Sequence, residues 1–137
     1  MTVLGIDPGE RRIGLAVSDA LGVIARPVAV IEHKSLAEDV AQVATIAQRL
    51  KAQRIVVGYP LNIDGSVGPA ARRARRFANA VRRISGVEVV LWDERLTTVA
   101  AEEMLGGGGG SEPARTRDAI DKTAAAIMLQ DYLDSHQ

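Results

Sequence analysis

The sequence predicts an α/β domain with a mixed five-stranded sheet. Three observations predict it: a group of short apolar runs at the start, apolar runs that then alternate with helical patterns, and turn residues between them. Residues 3–7, 13–18 and 28–31 are the first runs, parted by Pro8-Gly9, by Leu21-Gly22 and by Pro27. They read as three strands paired as antiparallel hairpins. Ser35 to about Leu50 reads as a helix. Ser35 with Glu38 forms a capping box, and Leu36, Val40, Val43, Ala47 and Leu50 make the apolar stripe. "RIVVGYP" (54–60) is a continuous apolar strand, so both its faces are expected inside. "LNIDGSVG" (61–68) is a loop. Pro69 opens a helix to about Ile84, with Ala70, Ala74, Phe77, Val81 and Ile84 inward. "VEVVLW" (87–92) is the fifth strand, ending at Asp93-Glu94. Thr97 or Thr98 caps a short helix to Leu105, five glycines (106–110) break the chain, and a last helix runs from about Thr116 to Leu133. The helix between the fourth and fifth strands makes them parallel, with a right-handed crossover.

A length of 137 residues suits one domain, 1–137, with a sizeable core. With 47% of residues hydrophobic and only 3% aromatic, that core is mostly Val, Ile, Leu and Ala. No stretch approaches the ~20 apolar residues of a membrane span. A first strand beginning at residue 3 leaves no room for a signal peptide. There is no cysteine, hence neither a disulfide framework nor a thiolate metal site. The expectation is a cytoplasmic protein with no membrane partner.

The net charge is zero but unevenly spread. Between Gly65 and Val87 lie six arginines (72, 73, 75, 76, 82 and 83) and no acid, whereas from Glu88 to Asp121 acids outnumber bases. A basic face beside an acidic cluster suits an enzyme that holds phosphates and metal ions together; two solvated helix faces are the plainer alternative.

Asp7 ends the first strand, Asp93-Glu94 ends the fifth, and Asp118 and Asp121 lie near the start of the last helix. Ligands of such sheets sit at the carboxyl ends of parallel strands. Asp7 and Glu94 share that edge if the first, fourth and fifth strands are neighbours. Asp121 continues into Ala125, Met128 and Tyr132 at helical spacing, which turns it toward the sheet. Carboxylates gathered at a dry edge repel one another and raise their pKa values. A hard divalent cation, Mg²⁺ or Mn²⁺, relieves that repulsion and binds phosphate. Two such ions, about 4 Å apart, can activate water and stabilise the leaving oxygen of a phosphodiester. Taken singly, each acid is also explained as a turn or cap residue. Asp118 could simply favour the helix N-terminus, Asp93 could support a ligand or be a plain turn residue, and Asp64 in "NIDGS" reads as a turn. His33 and His136 look isolated, and Trp92 reads as core. No P-loop or dinucleotide fingerprint is present.

"GIDPGERRIGLAVSD", "VVGYPLNIDGS", "DERLTT" and "IDKTAAAIMLQDYLD" resemble, in order and spacing, the YqgF (RuvX) family of RNase H-like nucleases, also called Holliday junction resolvase-like. The likeness covers nearly the whole chain. It implies an RNase H-like fold with strand order 3-2-1-4-5. It also implies catalytic acids at Asp7, Glu94 and Asp121, with Asp118 as a further one. Where many members carry a lysine-rich stretch, this chain has "GGGGGSEPARTR", with only Arg115 and Arg117. The implied activity is metal-dependent endonucleolytic cleavage of structured nucleic acid. The substrate is the 5′ end of precursor 16S rRNA, a four-way DNA junction, or both. Junction cutting would require two sites and hence a homodimer; rRNA trimming requires one.

Around the acids, Arg11, Arg12 and Arg95 are either phosphate contacts or turn and ion-pair residues. Arg72, Arg76 and Arg83 could track a backbone further out, and Asn62 positions phosphate or shapes its loop. Two rivals remain. One is a non-catalytic module that binds RNA or junctions without metal-dependent turnover. The other follows from a likeness of "GIDPGERRIGLAVSD" to the phosphate hairpin of actin-like ATPases and sugar kinases, which close two lobes on a nucleotide, whereas this length supplies one.

Overall fold

The computed structural model describes residues 1–94 and 114–136; along 114–122 it describes the backbone. The expected short helix of 97–105 and the glycine run lie outside the described residues. The elements are β1 (Val3–Pro8), β2 (Arg12–Ser18), β3 (Ala25–Glu32), α1 (Leu36–Arg49), β4 (Arg54–Tyr59), α2 (Pro69–Ser85), β5 (Glu88–Asp93) and α3 (Ala114–Ser135). The sheet order is β3-β2-β1-β4-β5, as the resemblance implies. β1 and β2, and β2 and β3, pair antiparallel; β1 and β4, and β4 and β5, pair parallel.

Turn chemistry sets the hairpins. The Gly9 amide donates to the Arg12 carbonyl at 2.9 Å, closing the β1–β2 turn. β3 is longer than the apolar run 28–31, because pairing continues past Pro27. Leu15 faces Ala29 but Ala16 faces Pro27, so Val28 is the extra residue of a bulge. Proline is tolerated there because β3 is an edge strand.

Period-two alternation divides the strands between two helical layers. Leu4, Ile6, Leu15, Ile55 and Val57 face α1 and α2, with Val43, Phe77 and Val81 packed against them. Val3, Ala16 and Val56 face α3, through Ala125, Met128, Leu129 and Tyr132. The stripe expected on the last helix is therefore buried where its side chains are described. β4 is buried on both faces, as its unbroken apolar run requires.

α1 starts where its cap predicts, with the Ser35 hydroxyl accepting from the Glu38 amide at 3.1 Å. α2 departs from expectation at its ends. Ala71, Ala74, Phe77, Ala78 and Val81 are buried, but Ala70 is only half-buried and Ile84 is 65% exposed. A helix of this length runs about 25 Å, whereas six-residue strands run about 20 Å. The helix therefore overhangs the sheet. Among the described residues no helix is long and apolar enough to cross a membrane.

Candidate active site

The parallel pairing of β1 with β4 and β4 with β5 brings three strand ends to one edge. Asp7 stands near the end of β1. It lies on the α3 side of the sheet, because Val3 two pairs earlier packs against α3. Its partner across β2 is Gly14. On the other side, Ile6 pairs with Val57, so the same register sets Asp7 beside Gly58 of β4. A glycine therefore flanks Asp7 on each neighbouring strand, leaving space over the sheet.

Glu94 fills part of that space. It follows β5 directly, and its amide donates to the Tyr59 carbonyl at 3.3 Å. A Cβ on Gly58 would run into the Glu94 carboxyl, so only glycine leaves this path open. The Glu94 side chain reaches Asp7 and hydrogen-bonds to it. Burial, that hydrogen bond and the charges of Asp7 and Asp93 push Glu94 from 4.5 up to about 10. Glu94 therefore keeps its proton at neutral pH and stays hydrogen-bonded to Asp7. Asp93 is paired in register with Tyr59 and takes part by its charge on Glu94.

α3 crosses the same face with its start toward this edge. Tyr132 accepts from Arg54 Nη1 at 2.9 Å, at the opposite edge where β4 begins. Leu129 presses on Gly5, where an added Cβ would come within 2.9 Å of the leucine Cβ. Asp121 stands one helical turn before buried Ala125, and Asp118 a further turn toward the helix start. Backbone position thus puts both on the part of α3 that leads to the acidic edge. Among the described residues no three His, Asp or Glu side chains form a metal-holding group. The available donors are hard carboxylate oxygens, which fit Mg²⁺ or Mn²⁺.

The basic residues divide. Arg11 is exposed in the β1–β2 turn, its carbonyl accepting from the His33 amide at 2.8 Å, and Arg12 begins β2. Arg72, Arg76 and Arg83 are exposed on α2, which packs against the other face of the sheet from Asp7. Arg72 Nη1 donates to the Val67 carbonyl at 3.3 Å. Asn62 shapes its loop, donating to the Ser66 hydroxyl at 2.9 Å. Asp64 makes the expected turn, accepting from the Ser66 amide at 2.9 Å. Arg95 lies outside the described residues.

Sequence reasoning missed three features. Gly58 gave a signal, a glycine inside an otherwise branched strand, which marks a close approach. His33 is not isolated: its Nδ1 lies 2.5 Å from Oδ2 of Asp39, a carboxylate only 2% exposed in the first turn of α1. His136 is not isolated either: its ring stacks on Tyr132 at 4.1 Å, beside Trp92, which packs edge-on to Tyr132 at 5.5 Å.

Residues 1–135 match the family model described as "RuvX: Holliday junction resolvase". A relative from Myxococcus xanthus is 44% identical over 137 residues, covering 100% of this chain and 90% of its own. One from Caldanaerobacter subterraneus subsp. tengcongensis is 41% identical, covering 100% of this chain and 99% of its own. Both carry the name "Putative pre-16S rRNA nuclease". The fold is similar to that of T. thermophilus RuvC, solved in complex with a Holliday junction substrate. The TM-score is 0.62 and the identity 18%, over 99% of this chain and 95% of that one.

Proposed function

The chain belongs to the RuvX Holliday junction resolvase family, and from that premise we propose that it is a single-domain, metal-dependent endonuclease of structured nucleic acid. Its substrate is the 5′ end of precursor 16S rRNA, the reading favoured by the names of the relatives that match its full length. The observation that carries the proposal is the Asp7–Glu94 pair, two carboxyl groups pressed together over Gly58 at the carboxyl edge of the sheet.

Asp7, Glu94 and Asp121 are the residues that would hold Mg²⁺ or Mn²⁺, with Asp118 a fourth ligand or a base. When bound, a pair of such ions supplies an activated water and charge stabilisation for the leaving oxygen. The chain's own part is positioning. The end of β1 fixes Asp7, and the Tyr59 carbonyl anchors the Glu94 backbone. A bound cation would favour the ionised form of both carboxyl groups and leave their oxygens as donors. Arg11, Arg12 and Arg95 contact the strand being cut. Arg72, Arg76 and Arg83 contact nucleic acid on the far side, where phosphate charge draws arginine without reading sequence.

The family description favours a second reading, four-way junction cleavage, which requires two sites and hence a homodimer. A cleavage panel separates them. Purified protein, with Asp7→Asn beside it, is incubated in Mn²⁺, Mg²⁺ or EDTA with a four-way DNA junction, its linear duplex and RNA carrying a ribosomal precursor end. Metal-dependent cutting of the precursor RNA, lost in Asp7→Asn, is expected. Paired symmetric cuts in the junction alone would replace rRNA by DNA as substrate. Full activity in Asp7→Asn would sink the metal site.

A further inference from the structure

On the other face of the sheet, a cavity of about 400 Å³ opens between the β1–β2 turn, α1 and α2. Its size lies within the roughly 300–1,000 Å³ of small-molecule sites. The floor is apolar: Ile13 and Phe77 are 3% and 5% exposed, and Leu36 beside them is 39% exposed. The rim is cationic. Arg73 and Arg76 are three apart on α2, both exposed, and neither has a hydrogen-bond or ion-pair partner among the described residues.

His33 completes the rim. Asp39 beneath it is buried, and its other oxygen accepts from the Lys34 amide at 3.0 Å. A carboxylate only accepts hydrogen bonds. The ring proton therefore sits on Nδ1, facing Asp39, and Nε2 is the atom left for a ligand. Glu10 is the other acid at the mouth. Paired guanidinium groups suit phosphate oxygens, and an apolar floor suits the face of a flat ring.

We infer that this cavity binds a nucleotide unit, its base against Ile13, Leu36 and Phe77 and its phosphate between Arg73 and Arg76, with His33 Nε2 as a further polar contact. The inference rests on the nuclease reading for its preferred source, a nucleotide splayed from the substrate strand; a free nucleotide shares the same chemistry. Single-stranded RNA is commonly read through unstacked bases of this kind. The pocket would then hold the strand on the side of the sheet away from the acids.

The test uses the full chain without metal. Uridine 5′-monophosphate, inorganic phosphate and uridine are each titrated while the side-chain NMR signals of Arg73, Arg76 and His33 are followed. In parallel, binding of a single-stranded RNA oligomer is compared between Asp7→Asn and Asp7→Asn/Arg73→Gln/Arg76→Gln. Asp7→Asn/Arg49→Gln/Lys51→Gln serves as a charge-matched control. The nucleotide should shift all three side chains saturably and more tightly than phosphate. The Arg73/Arg76 pair should weaken oligomer binding by at least about tenfold beyond the control. Saturation by the nucleotide with unchanged oligomer binding would assign the pocket to a free nucleotide. Absence of saturable shifts, or phosphate binding as tightly as the nucleotide, overturns the inference. Failure of the nuclease reading shows separately, as absence of metal-dependent cutting by the unsubstituted protein.

Discussion

Two carboxylates at the same end of the molecule, on opposite faces of the sheet, meet opposite partners. Asp39 faces an imidazole and a backbone amide, at 2.5 Å and 3.0 Å. Asp7 faces a second carboxyl, Glu94. The first carboxylate is satisfied by the chain alone and helps join the end of β3 to α1. The second is half-buried against a like group, an arrangement that a proton on Glu94 or a bound cation relieves. Burial of an acid therefore does not by itself mark a metal site; what sets Asp7 apart is the like group beside it.

The largest effect is expected at Asp7. Asp7→Asn should reduce cleavage by at least about a thousandfold, measured in single-turnover assays. Mn²⁺ should raise the Tm of the unsubstituted protein, and Asp7→Asn should abolish that rise. Retention of that rise would mean that the cation sits elsewhere. Next in size is Gly58→Ala, whose new methyl occupies the path of the Glu94 carboxyl. A displaced ligand should cost about a hundredfold in kcat/KM, and wild-type turnover in this variant would remove Gly58 from the site.

Asp39→Ala sharpens the other side. It leaves His33 and the Lys34 amide without their acceptor, so urea unfolding should show a loss of about 1–3 kcal/mol. The Mn²⁺-dependent rise in Tm should survive, because this carboxylate already has its donors. The smallest effect is expected at Glu94. Its folded pKa, about 10, stands above the ordinary value of 4.5, so the folded state holds more protons than the unfolded state between those pH values. Stability of the metal-free protein is therefore greatest below pH 4.5 as far as this group is concerned, and falls as pH rises toward 10. Glu94→Gln should flatten that fall and raise the metal-free Tm at pH 8 by a few degrees, about 1 kcal/mol. An unchanged pH profile would show that Glu94 is not held protonated in the folded protein.

Much of this was legible beforehand, for local reasons. Apolar runs of strand length, turn residues between them and the Ser35 cap are short-range features, and they placed the helices and strands to within a few residues. Asp7 and Glu94 stood out because each directly follows, or closes, a strand. Other features were not legible. His33 and Asp39 are six apart, and their pairing depends on how β3 hands the chain to α1. Asp39 looked like one more acid in a first turn. Ile84 fell on a valid apolar stripe, but helical period says nothing of where the sheet beneath it ends.

Hydrophobic pattern and turn chemistry act over neighbouring residues, so the order of residues alone settles which segments are strands and helices and which acids could stand at strand ends. Tertiary structure alone decided the rest. Strand register set Asp7 between Gly14 and Gly58, and that space let Glu94 come against it. Sheet topology placed the arginines of α2 and the His33–Asp39 pair on the opposite face. Those outcomes depend on contacts between residues far apart in the chain, and no local pattern records the register at which two strands will pair.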